Sequence, residues 1–143
     1  MKQPPHDSLG VTPHDHEEIL GNDRLIRYLV PGVNVHLKDD GSWRVSSGAF
    51  SRSSPTNDPR SYASVDLERL LAKEGVNPIY RLPNPNQGVA AILVEHIREI
   101  ELLVGWVPLP DNDAHCGIWG ALNKKSIGNK LAKVAMLIVE PLR

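Results

Sequence analysis

The chain has 143 residues, 41% hydrophobic and 23% charged, with a formal net charge of −1. Its length suits one domain that buries about two-thirds of its unfolded surface. The near-neutral balance argues against a nucleic acid or an anionic membrane as the main partner. No run reaches the ~18 apolar residues that span a bilayer, and the polar start Met1-Lys2-Gln3-Pro4-Pro5-His6 lacks the core of a secretory signal. The single cysteine forms no internal disulfide, and a cytoplasmic location is the expectation.

Residues 1–22 read as a flexible tail carrying a short capped helix. Thr12 caps it, Pro13 takes the first helical position, Asp15 completes a capping box and Gly21 ends it, with Ile19 and Leu20 docking. Residues 23–143 read as a single α+β domain. Leu25 to Val30 is a strand stopped by Pro31-Gly32. Val33 to Leu37 and Trp43 to Ser46 are strands joined by the Asp40-Gly41 turn. A polar loop follows over 51–61, with Pro55 and Pro59, and Tyr62 to Val65 adds a short strand. Asp66 then caps a helix over Leu67 to Glu74, closed by Gly75. Residues 76–88 form a second long loop, of a length more often functional than idle.

The strongest helical periodicity runs from Val89 to Leu103, through Ile92, Leu93, Ile97 and Ile100. A last helix is expected over Ser126 to Val139, burying Ile127, Leu131, Val134, Ala135 and Ile138. Between them Gly105 to Leu109 and Ala114 to Leu122 read as strands around a Pro110–Asp113 turn. The expected plan is therefore α+β: a single mixed or antiparallel sheet of about five to six strands with two or three packed helices.

Several side chains invite a functional reading. His14-Asp15-His16-Glu17-Glu18 offers metal-ligand types, but on a helix His16 points away from His14 and Glu18. A zinc site needs three or four convergent ligands, so no metal is expected. His96 falls within the apolar face of its helix, where a core hydrogen bond is the plain reading. Cys116 reads as a small buried hydrophobe, facing away from its neighbour His115 as successive strand residues do. Arg27 shares a strand face with Leu25 and Leu29 and, if buried, needs a carboxylate or an anionic ligand. His115, near Asp111 and Asp113, is the candidate acid–base group. Lys124, Lys125 and Ser126 stand at a helix start suited to an anion, although the spacing from Gly120 does not make a P-loop.

Leu25-x-Arg27-x-x-x-Pro31, Ser46-Ser47-Gly48-Ala49-Phe50, Ser64-Val65-Asp66-Leu67 and Pro108-x-Pro110-x-Asn112-x-Ala114-His115 resemble a family of small bacterial proteins of unassigned activity. That resemblance covers residues 24 to about 135 and implies a bacterial or phage source. Arg27 followed by Ser46-Ser47 also resembles part of the ADP-ribosyltransferase pattern, which implies Arg27 and Ser47 as catalytic positions. The pattern requires a glutamate on a late strand. Residues 114–122 contain no acidic residue, and Glu140 lies beyond the last expected helix.

With no complete catalytic constellation, the leading expectation is a binding or accessory module that engages a protein partner through Trp106 and Trp119. The rival expectation is a small enzyme on a nucleotide-like or phosphorylated substrate. It would use Arg27, Ser47 and His115, with Lys124, Lys125 and Ser126 holding the anion. Neither reading calls for a cofactor, and the partner is a protein or a small anionic ligand.

Overall fold

The structure, a computed structural model, describes residues 1–52, 58–76, 80, 81, 84 and 86–142. The loop readings at 53–57, 77–79, 82, 83 and 85 fall outside the described residues. In chain order the elements are β1 (His6–Asp7), β2 (Gly10–Val11), β3 (Arg24–Leu29), β4 (Val35–Leu37), β5 (Trp43–Val45), β6 (Ala63–Leu67), α1 (Glu68–Lys73), β7 (Gly88–Leu93), α2 (Val94–Glu99), β8 (Leu103–Trp106), β9 (His115–Trp119), α3 (Lys125–Val134) and β10 (Met136–Val139). Six strands make one antiparallel sheet in the order β10-β7-β3-β6-β9-β8, and β1-β2 and β4-β5 are separate ribbons.

Strand alternation gives this sheet two different faces. One carries Leu25, Leu29, Val65, Leu67, Ala90, Ile92, Cys116 and Ile118, which join Phe50, Ile97 and Leu131 in the main core. The helix interface is set by a close approach: a Cβ on Gly128 of α3 would collide with the Ser47 carbonyl. The opposite face carries Ile26, Val89 and Ala91, packed with Leu71 of α1 and Ala114.

Three expected helices are redrawn. Residues 12–20 are irregular, with a single turn at 17 and 18, rather than a helix. Here the side chains of His14 and Asp15 are spent on the sheet edge, with His14 Nε2 accepting the Trp106 N–H and Asp15 Oδ1 accepting the Val104 N–H. Residues 88–93 are strand β7, leaving only Val94–Glu99 helical, and Met136–Val139 pairs with β7 instead of continuing α3. Asp66 lies inside β6 and caps nothing; the residue preceding α1 is Leu67. His96, expected on an apolar face, is half exposed beside Glu99 at 3.6 Å. Among the described residues, no helix is long and apolar enough to cross a membrane.

Candidate functional site

The face of the sheet away from α2 and α3 is not fully covered. On it lies a pocket of about 390 Å³, lined by Tyr28, Ser64, Val65, Asp66, Arg81, Asn112 and His115. The residues converge because of register. Ile26 of β3 pairs with Asp66 of β6, and Asp66 pairs with His115 of β9, so the carboxylate and the imidazole rise side by side from one face. Directly opposed Cβ atoms in such a pair lie about 4.5–5.5 Å apart. Asp66 is 4% exposed and His115 9%.

A buried carboxylate needs partners, and Asp66 has them. The Tyr28 hydroxyl donates to Oδ2 at 3.0 Å, and the Asn112 amide donates to Oδ1 at 2.8 Å. The Tyr28 oxygen in turn accepts the Arg81 N–H at 2.8 Å. Burial, with the Asp66 charge adding to it, pushes the Tyr28 phenol well above its usual range, so it stays a proton donor. Asn112 is itself oriented, its Oδ1 accepting the Ala114 N–H at 3.1 Å. His115 Nδ1 stands 2.8 Å from the Val107 carbonyl, which can only accept. The proton therefore resides on Nδ1, and in the neutral ring Nε2 is an acceptor. The Tyr62 ring meets that imidazole edge-on, with centroids 5.8 Å apart.

Arg81 supplies the pocket's positive charge. Its guanidinium pairs with Glu74, while its buried Nε has no hydrogen-bond partner among the described residues. The lining can thus bind, orient and exchange a proton with a small molecule.

Of the residues singled out from sequence, only His115 reaches this pocket. Arg27 lies on the opposite face, where it is a strut. It donates to the carbonyls of Ala49 at 2.9 Å, Ser64 at 2.6 Å and Ser51 at 3.4 Å. Burial pulls its pKa down, and three backbone carbonyls take the place of the carboxylate or anion expected for it. Ser47 presents its carbonyl to Gly128 and does not line the pocket. Lys124, Lys125 and Ser126 are exposed, and none lines the pocket. Ser126 is not the cap of α3: Lys124 holds that position, without a side-chain cap.

The tryptophans expected outside are interior. Trp106 is 9% exposed and Trp119 1%; their indole N–H groups donate to the Asp113 and Arg60 carbonyls at 2.7 and 3.1 Å. Cys116 is buried as expected, and burial pushes its thiol far above the range in which it would be a nucleophile.

Sequence reasoning missed Ser64, Asp66, Tyr28, Asn112 and Arg81. The sequence suggests a strand that stops at Val65; the strand in fact runs to Leu67, and alternation along it puts Ser64 and Asp66 on one face. Comparison with family models, with curated proteins and with solved structures found no match.

Proposed function

We propose that the protein is a small-ligand-binding domain whose ligand sits in the Asp66–His115 pocket, with His115 as the group able to exchange a proton with it. One observation carries this reading: a buried, doubly hydrogen-bonded carboxylate stands beside a buried imidazole with fixed tautomer, at an opening in the sheet face. The pocket's volume falls within the roughly 300–1,000 Å³ of small-molecule sites. A carboxylate that served stability alone would be better placed in solvent or replaced by an apolar residue.

The reading retains the small-ligand half of the sequence expectations and moves its site. Arg27, Ser47 and the Lys124–Ser126 helix start are not used. Docking a protein on Trp106 and Trp119 has less support, since neither indole presents an exposed surface.

The test is a fragment library titrated against labelled protein, followed by amide NMR shifts. Shifts clustered at Ser64, Asp66, Asn112 and His115, lost in His115→Phe, support the proposal. A library that leaves those amides unmoved while shifting others overturns it.

A further inference from the structure

We infer that the ligand of this pocket is a planar nitrogen heterocycle with an exocyclic amine beside a ring nitrogen, the N=C–NH2 edge of an adenine- or cytosine-type base. This inference rests on the ligand-binding reading of the same pocket and names its chemistry.

The argument counts donors and acceptors. The Tyr28 proton is given to Asp66, and the Tyr28 oxygen accepts from the Arg81 main chain. Asn112 gives a proton to Asp66 and accepts the Ala114 N–H. Each Asp66 oxygen therefore has one donor and keeps room for another. His115 has spent its N–H on the Val107 carbonyl, so its second nitrogen is an acceptor without a partner among the described residues. Two acceptors thus stand side by side on neighbouring strands. An amine carries two N–H groups and can give one to each.

The opposite role falls to Arg81. Arg81 belongs to the pocket lining, and its buried Nε–H has no acceptor among the described residues. A ring nitrogen next to the amine supplies that acceptor. The amine and the adjacent ring nitrogen together match the pocket's acceptor pair and its orphan donor.

A planar ligand suits a lining that includes the aromatic residues Tyr28 and His115. An inorganic or organic phosphate fits poorly. It brings lone pairs and negative charge to a floor already made of a carboxylate and an imidazole acceptor.

The experiment compares bases that differ only at this edge. Adenine against purine, and cytosine against uracil, are titrated into the full chain by calorimetry and amide NMR, with inorganic phosphate as a further probe. The amine-bearing base of each pair is expected to bind about ten- to a hundred-fold more tightly, the range for hydrogen bonds to charged groups. Asp66→Asn, which presents an amide, should abolish the preference. If that variant does not fold, the wild-type comparison decides alone.

Equal affinity for adenine and purine, or phosphate displacing both, overturns the amine inference while pocket shifts by other fragments keep the ligand-binding reading. Silence of the pocket amides toward these bases and a broad fragment library removes both.

Discussion

His14 Nε2 accepts the main-chain N–H of Trp106 at 3.2 Å, closing part of the β8 edge with a side chain in place of a strand. Neighbouring groups finish the seal. Asp15 Oδ1 accepts the Val104 N–H at 3.0 Å, and the His16 N–H donates to the Val104 carbonyl at 2.8 Å. The remaining His14 nitrogen donates to the Thr12 carbonyl at 2.8 Å, so the neutral ring is fully used. The His16 ring likewise contacts the Lys2 carbonyl at 2.7 Å and accepts the Glu18 N–H at 3.1 Å.

Protonation of the His14 ring turns its acceptor nitrogen into a donor aimed at the Trp106 N–H. Burial, above all, holds the His14 pKa below its ordinary value of 6.5. The charges around the pair are Asp15, Glu17, Glu18, Lys2 and Arg98. A base whose folded pKa is lowered binds protons better when unfolded, so its stability contribution is complete above 6.5 and is lost as pH falls below it. Denaturation midpoints should drop between about pH 7 and pH 5, the imidazole range. His14→Gln should flatten that slope; an unchanged slope would show that the ring does not titrate with folding.

The strut at Arg27 makes a second test. Arg27→Ala strands the Ala49 carbonyl, and an unsatisfied buried acceptor costs about 1–3 kcal/mol. Urea unfolding should register a loss at least that large, with pocket ligand affinity changed little in the folded fraction. A loss of affinity larger than the loss of stability would reassign Arg27 to the site.

Gly105 and Gly117 lie directly opposite across β8 and β9, and both need to be bare. A Cβ on Gly105 would come within 2.6 Å of the His14 ring and 2.7 Å of Trp119, and one on Gly117 within 2.8 Å of Tyr62. Gly105→Ala should therefore push the 14–16 segment off its seat, at the roughly 1–3 kcal/mol of an overpacked core. Tryptophan emission should shift to the red as Trp119 is uncovered.

The helix-side core gives a fourth measurement. Ile97 and Leu131 are both fully buried in one cluster. Truncating either to Ala is expected to cost about 2–5 kcal/mol by thermal or urea unfolding. A loss below about half a kcal/mol at both would contradict their placement.

How much was legible in the sequence differs from element to element, for physical reasons. Residues 33–37 and 43–46 alternate, 25–30 is a strand run stopped by Pro31-Gly32, and Asp40-Gly41 marks the hairpin turn; the three segments form β4, β5 and β3 close to the expected limits. Among the described residues, the six-stranded antiparallel sheet and three helices lie within the expected α+β plan. Residues 88–93 deceived because β7 lies between β3 and β10 and five of its six residues are buried. A strand covered on both faces has no alternation, and its apolar run, placed next to a real helical turn, reads as one long helix.

The pocket was hidden for another reason. Its residues come from β3, β6, β9 and the loops around Arg81 and Asn112, and only strand register brings them together. His115 could be suspected alone. Its partner Asp66, standing just before a helical run, reads in the sequence as a helix cap.

The side-chain seal on β8 also says something about the order in which the chain folds. Its partners lie far apart in sequence: 92 residues separate His14 from Trp106, and 89 separate Asp15 from Val104. Loop closure over such spans is entropically slow, and proteins dominated by distant pairings fold in milliseconds to seconds. The amides of β8 must therefore wait, exposed, until the beginning of the chain returns to them. During that interval an unsealed strand can pair with the same strand of another molecule. Refolding yield should thus depend on protein concentration even though the finished fold shields that edge.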